Sequence, residues 1–261
     1  MGYSALEEIM GSSQRIICVT GATSGIGRAT AQRFLKEGWK VIAIGRRHER
    51  LESLAAEGGA SLLPLPLDVS DRDAVAKAFA SLPEAFAPID VLVNNAGGAH
   101  GLSKTMDASL DDWETMIDAN IKGVLYCTKA VVQSMVDRGT GHIVNIGSIA
   151  AFTAYPGANT YGGTKAFVAQ FTRNLRSDLH GTNVRATNIE PGLLESEFSV
   201  VRMKGDTEKA DAVYANCQPL RPEDLADIVY YTVTLPPHVN IGRLQVTPVC
   251  QSDAGSVIYR D

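Results

Sequence analysis

Three side chains in this 261-residue chain stand where they could share one reaction: Ser148, Tyr161 and Lys165. The run Tyr161-Gly-Gly-Thr-Lys165 spaces a phenol and an ammonium at i and i+4, which on a helix puts them on one face, one turn apart. An unperturbed tyrosine has a pKa of about 10. A close cation stabilises the phenolate and lowers that value by about 1–3, which would bring Tyr161 toward the range where a general acid or base works near neutral pH. Ser148 follows Gly147 at the end of His142–Ile146, a short run that reads as a buried strand. If the helix face looks back at that strand end, a hydroxyl, a phenol and an ammonium meet in one small space. Each alone is ordinary, since Tyr-x-x-x-Lys occurs on any amphipathic helix and Ser beside Gly often caps a turn. A nucleotide site elsewhere would give the group its chemistry.

The elements that would position them recur along the chain. Arg15–Thr20 reads as a first buried strand and runs into Gly21-Ala-Thr-Ser-Gly25-Ile-Gly27, then a helical pattern to about Glu37. Glycines between strand and helix let the backbone approach a ligand, and the helix N-terminus offers free N–H groups to a pyrophosphate. Lys40–Ile44 is the second strand. A cofactor with a free ribose 2′-OH would call for an acid at its end; Gly45-Arg46-Arg47 stands there instead, and two cations suit a 2′-phosphate. Ser61–Leu67 is the third strand, followed by Asp68-Val69 and a helix expected to start at Ser70. Asp90–Asn94 leads into Asn94-Asn95-Ala96-Gly97-Gly98, small residues that leave room for a flat ring or ribose. A helix over about Leu110–Val136 carries Asn120, a poor interior helix former that must find partners if buried. A sixth strand over Asn183–Asn188 ends in Glu190-Pro191-Gly192. Residues 193–216 lack periodicity and read as a mobile flap, and Gly242–Val249 reads as the last strand before a tail over Cys250–Asp261. This alternation predicts an α/β fold: a doubly wound parallel Rossmann sheet of about seven strands with helices on both faces, in a single domain. Right-handed crossovers gather the strand ends, and with them Gly21–Gly27, Arg46, Asp68, Asn95, Ser148 and Gly192, on one edge, with the Tyr161 helix beside it.

Composition narrows the function classes. The chain is 45% hydrophobic and 20% charged with a net charge of −5, which disfavours a nucleic-acid surface or a general membrane patch. Cys18, Cys127, Cys217 and Cys250 are scattered, with no CxxC pair, so neither a disulfide framework nor a metal site is expected and a reducing, cytoplasmic compartment is. No apolar run reaches a membrane-spanning length. Residues 1–14 read as a flexible extension, neither a secretory signal nor part of the domain over 15–261.

Taken together, Thr20-Gly21-xxx-Gly25-Ile-Gly27, Asn94-Asn95-Ala96-Gly97, Asn120, Ser148, Tyr161-xxx-Lys165 and Pro191-Gly192 resemble the short-chain dehydrogenase/reductase family, in order and spacing across almost the whole chain. The resemblance implies a nicotinamide cofactor and a homotetramer. It implies Tyr161 as proton donor, Lys165 as ribose contact and pKa depressor, Ser148 as carbonyl-orienting donor, and Asn120 as holder of a water in the proton relay. It places the cofactor against Gly21, Thr23, Ser24, Gly25, Ile26, Gly27, Arg46, Arg47, Asp68, Val69, Asn95, Ala96, Gly97, Tyr161, Lys165, Pro191, Gly192 and Leu194, with NADP(H) favoured by the arginines.

A narrower likeness rests on Ile146-Gly-Ser148, Asn188-Ile-Glu-Pro-Gly192, Val201-Arg-Met-Lys-Gly-Asp206 and Leu235-Pro-Pro-His-Val-Asn-Ile241. These are similar to the NADP-dependent 3-hydroxy acid dehydrogenase branch, which acts on small acids such as serine, allo-threonine and 3-hydroxypropionate or reduces malonic semialdehyde. The ordinary family has an Asp and a glycine-rich stretch after the last strand; Val246-Thr-Pro-Val-Cys here fits the branch instead. The expected substrate is a small anion bound by Ser148, Tyr161 and Arg202, whose planar fork matches a carboxylate. A sulfonate would fit the same fork, so sulfoacetaldehyde reduction is the alternative, and an NADP-binding sensor without turnover is the alternative outside the enzymes.

Overall fold

The computed structural model describes residues 14–253 together with residues 258 and 259; the extension predicted over 1–14 lies, Gln14 apart, outside the described residues. Seven strands form one sheet: β1 (Ile16–Thr20), β2 (Lys40–Gly45), β3 (Leu62–Pro66), β4 (Val91–Asn94), β5 (Gly141–Ile146), β6 (Val184–Pro191) and β7 (Arg243–Val246). They are all parallel, in the order β3-β2-β1-β4-β5-β6-β7. The chain starts in the middle, walks out to β3, and returns to place β4 on the other side of β1. That reversal leaves a crevice above the C-terminal ends of β1 and β4, where open α/β sheets take ligands.

Both faces of the sheet are covered, which is why β1, β2 and β4 are almost continuously apolar. Ile17, Val19, Val41, Ala43, Val93 and Ile146 point into one layer with Phe34 of α1 (Gly25–Lys36), Leu51 and Leu54 of α2 (His48–Gly58), and Leu225 and Val229 of a late helix at Pro222–Thr234. The alternate residues Cys18, Ile42, Ile44, Leu92 and Ile143 point into the other, against Val75 of α3 (Arg72–Ala80), Val131 and Met135 of a helix at Gly123–Arg138, and Leu175 of one at Asn159–Asp178. This period of two fixes the register, since a one-residue slip would exchange the layers.

Several elements differ from their sequence expectation. The cap of α3 is Asp71, whose Oδ1 accepts from the N–H groups of Asp73 and Ala74; Ser70 donates its N–H and hydroxyl to Asp68 instead. The helix expected over 110–136 is α4 (Leu110–Ile117), one π turn at Asp118–Lys122, then α5 (Gly123–Arg138). After α6 (Asn159–Asp178), β6 runs on to Pro191 because its Glu190, fully buried, is paired with Arg243 and bonded by Asn188 rather than solvated. The stretch read as a mobile flap holds α7 (Glu197–Arg202) and α8 (Thr207–Ala212), capped by Ser196 and Asp206; six residues are too few to display a helical period. Then come α9 (Pro222–Thr234) and β7, which stops short of Pro248. The tail turns back so that Gln251 Oε1 accepts from Leu193 N at 2.7 Å. Among the described residues no helix is long and apolar enough to cross a membrane, and no cluster of three or more His, Cys, Asp or Glu could hold a metal ion.

Candidate active site

The strand ends frame a cleft of about 380 Å³. Of the residues expected there from sequence, all but Gly27, Asn120 and Arg202 line it. Its floor on the β1 side is a tight knot. Asn95 Nδ2 donates to the carbonyls of Thr20 (2.9 Å) and Gly21 (3.3 Å), while Thr20 Oγ1 accepts from the N–H groups of Asn95 and Ala96, both at 2.9 Å. A Cβ on Gly27 would stand 2.3 Å from Gly21 O and 2.4 Å from Asn95 Nδ2, so Gly27 serves by its absence of side chain beneath the loop. Gly21 has φ 68° and its Cβ would meet Ala96 Cα at 2.9 Å, a turn open to glycine alone.

At the end of β2, a Cβ on Gly45 would collide with Thr23 Cγ2 at 2.5 Å, so no acidic side chain has room there. The two arginines beyond it differ. Arg46 is exposed and lies 3.7 Å from the Asp68 carboxylate. Arg47 is engaged: Nε and Nη2 donate to Thr23 Oγ1, Nη2 also to Ser24 Oγ, and Nη1 to Glu197. Burial raises the Asp68 carboxyl, but the Ser70 hydrogen bonds and Arg46 outweigh it and hold it below its ordinary value.

On the β5 side, α6 brings Tyr161 and Lys165 under the cleft wall, both buried. Ser148 Oγ accepts from Ala150 N at 3.1 Å, which fixes its rotamer, and it favours ionisation of the neighbouring Tyr161 phenol. Lys165 Nζ donates to Ile146 O at 2.8 Å and lies 5.8 Å from the Tyr161 ring centroid. The electrostatics correct one expectation. Burial pushes the Tyr161 phenol up to about 12, outweighing the lowering by Ser148 and Arg202, and Lys165 is itself pushed down to about 8 by burial. Stripped of water, the phenolate and the ammonium are each disfavoured, so the lowering of Tyr161 expected from Lys165 does not prevail here.

Asn120 sits in the π turn, fully buried. Its Oδ1 accepts from Gly98 N at 2.9 Å, and its Nδ2 donates to Gly98 O at 2.9 Å and Thr164 Oγ1 at 3.0 Å. Both amide hydrogens are therefore spent, leaving one lone pair of Oδ1 for the relay water implied by resemblance. A Cβ on Gly97 would stand 2.3 Å from that Oδ1, so the bare turn over 95–98 and the irregular helix are one device.

Arg202 roofs the catalytic candidates from the end of α7. Its guanidinium carbon lies 5.2 Å from the Tyr155 ring centroid and 5.5 Å from that of Tyr161. Its Nε and Nη2 are buried and, among the described residues, bond no protein atom. Sequence reasoning missed Arg50, Glu197 and Phe198. Arg50 lies one helical turn past Arg47 and bonds Glu197 with it, which the i, i+3 spacing could have signalled. Phe198 packs its ring 5.6 Å from Tyr161, with no signal in the sequence.

A family model described as short chain dehydrogenase matches residues 15–206. Among curated proteins, the chain is 55% identical over 246 residues to the NADP-dependent 3-hydroxy acid dehydrogenase YdfG of Salmonella typhi, covering 94% of this chain and 99% of that protein. It is 49% identical over 245 residues to the serine 3-dehydrogenase of Agrobacterium fabrum, covering 94% and 98%. Among solved structures, a serine dehydrogenase in closed form complexed with NADP+ matches with a TM-score of 0.91 at 53% identity, covering 94% of this chain and all of that one.

Proposed function

The chain belongs to the short-chain dehydrogenase family, and from that premise we propose that it transfers hydride reversibly between NADP(H) and a small acidic hydroxyl/carbonyl pair of the 3-hydroxy acid and semialdehyde class. The observation that carries this reading is Arg202, with two guanidinium nitrogens buried and unpartnered above Tyr161. A buried donor left unmade costs about 1–3 kcal/mol, more for a charged group, so the site calls for an anion. That anion has to stand beside the Ser148–Tyr161 pair, as the carboxylate of a small hydroxy acid would. The relatives' names, an NADP-dependent 3-hydroxy acid dehydrogenase and a serine 3-dehydrogenase, support the same class.

The residues of the cleft fit the dinucleotide. The bare positions at Gly21 and Gly27 let the loop over 21–27 close tightly on the turn at Asn95 and Ala96, and the crowding at Gly45 excludes an acid beside the adenine ribose. Arg46, exposed and weakly held, is the cation free to take a 2′-phosphate. When bound, the nicotinamide supplies or accepts the hydride. In reduction, Ser148 and Tyr161 donate to the carbonyl oxygen and hold the charge that develops on it. Tyr161, protonated at neutral pH because burial keeps its pKa up to about 12, gives that oxygen its proton. Lys165 holds the ribose and the local charge, and Arg202 sets the reacting carbon in place by its acid group. Residues 15–261 work as one domain whose 193–216 segment covers the substrate, and by resemblance we read the protein as a cytoplasmic homotetramer.

Two substitutions test this directly. Arg46→Ala is expected to raise the KM for NADPH about tenfold or more, the loss of a charge-assisted hydrogen bond worth about 1.5–3 kcal/mol, and to leave the KM for NADH nearly unchanged. An unchanged NADPH/NADH preference would remove Arg46 from the phosphate site. Arg202→Ala is expected to lower kcat/KM for malonic semialdehyde at least ~10-fold, about 1.4 kcal/mol, while sparing a neutral aldehyde of similar size. Equal losses on the two substrates would make Arg202 a flap-ordering residue and send the search for the anion site to His100 or the C-terminal tail.

A further inference from the structure

Between the adenine side of the cleft and the substrate side runs a single short element. Helix α7 is six residues long, about 9 Å at 1.5 Å per residue, and each end carries a charged side chain with a different engagement. Its first residue, Glu197, is gripped from the nucleotide side. Glu197 Oε2 accepts from Arg47 Nη1 at 2.9 Å, and Arg50 Nη1 reaches both carboxylate oxygens at 2.7 and 2.8 Å. Arg47 in turn holds Thr23 and Ser24, the hydroxyl residues of the glycine loop. The last residue of α7 is Arg202, over Tyr155 and Tyr161.

Two more contacts brace the element. Gly101 N donates to Arg202 O at 2.9 Å, and Lys204 pairs with Asp112 at 2.7 Å. The backbone of α7 thus spans from the glycine loop to the turn after β4. Of these ties, the Glu197 cluster is the charged one that reaches the hydroxyl residues of the glycine loop.

We propose that Glu197 is a positioning residue for the anionic end of the substrate: clasped by Arg47 and Arg50, it fixes α7 so that the Arg202 guanidinium stands over Tyr161, and it ties the substrate roof to the phosphate loop. The functional half rests on the reading of Arg202 given above. Because Glu197 already occupies Arg47, the clasp also explains why the two adjacent arginines are unequal, with Arg46 left free for a phosphate and Arg47 committed to the flap. The carboxyl of Glu197 is raised by burial but held below its ordinary value by the two arginines, so the clasp is charged at neutral pH.

The test uses the full chain and two readouts. Hydrogen–deuterium exchange on the cofactor-free protein reports the fixing of residues 197–205 independently of any activity. Glu197→Gln is expected to speed exchange there about tenfold or more and to lower kcat/KM for malonic semialdehyde about tenfold relative to a neutral aldehyde. The charge-swapped double variant Glu197→Arg with Arg50→Glu keeps the number of charges and is expected to recover a large part of both, where Glu197→Arg alone recovers neither. Unchanged exchange in Glu197→Gln, or a double variant no better than the single one, would overturn the clasp. Faster exchange with equal losses on acid and neutral substrates would overturn the link to Arg202. In that case Arg202→Ala measured alongside separates the causes: if it too loses equally on both substrates, the anion-site reading has failed, and if it loses selectively, that reading stands and the link from Glu197 to Arg202 has failed.

Discussion

Tyr161→Phe is expected to bind NADPH as the parent does and to lose about 10²- to 10⁴-fold in kcat, the usual cost of removing a general acid. The substitution deletes one oxygen from a ring packed with Ala99, Met116 and Ala150, so the cleft keeps its shape and the loss falls on the chemical step. With its pKa pushed up to about 12, the phenol carries its proton throughout the neutral range, the form that reduction needs. A fluorescence titration of NADPH beside a steady-state kcat would check both halves. Near-parent turnover would reduce Tyr161 to a packing residue and leave the mechanism without a donor.

Lys165→Met is expected to damage turnover on a comparable scale, about 10²- to 10⁴-fold, to weaken NADPH binding, and yet to stabilise the cofactor-free fold at neutral pH. Burial sets the folded-state pKa of Lys165 near 8, against an ordinary 10.5. Between those values the unfolded chain holds a proton that the folded chain has released. Stability from this group therefore rises with pH across about 8 to 10.5 and is lowest below about 8, where the fold must bury the charge. A difference of that size corresponds to about 3 kcal/mol. The methionine has no charge to bury at any pH, so its stability relative to the parent should be higher at pH 7 than at pH 10.5 by about that amount. The carbonyl of Ile146 loses its donor, which trims the gain. Urea unfolding of both proteins at the two pH values measures it; a stability difference independent of pH would mean that Lys165 is solvated in the free enzyme.

The sheet was legible because its signals are local and repeated. The strands β1, β2 and β4 are short, largely apolar runs, and the strands are followed by the residues that turn the chain at their C-terminal ends, from Gly21 to Gly192. What escaped depends on contacts between distant residues. Glu190 looked like a strand end because a charge in a strand reads as solvated, and Arg243, 53 positions on, together with Asn188 makes its burial tolerable. The π turn at Asn120 follows from a bond to Gly98 across the cleft. The two flap helices were invisible to periodicity, although Ser196 and Asp206 stood in cap positions. The balance at Tyr161 was misjudged because i, i+4 spacing reveals the neighbouring cation but not the depth of burial that outweighs it. Arg202 could be singled out by its apolar flanks, whereas the clasp that holds it needs Glu197 to meet Arg47 and Arg50 from about 150 residues away.

Hydride transfer from NADPH to a small acid is tested most directly by following NADPH consumption with malonic semialdehyde, with sulfoacetaldehyde and a neutral aldehyde of similar size in parallel and NADH as the comparison cofactor. The expected result is turnover of malonic semialdehyde with NADPH, at a kcat/KM at least ~10-fold above that for the neutral aldehyde, and much weaker turnover with NADH. NADPH binding without consumption of any of the three aldehydes would contradict it and leave a nucleotide-binding sensor, and equal rates on the acid and the neutral aldehyde would contradict the anion site.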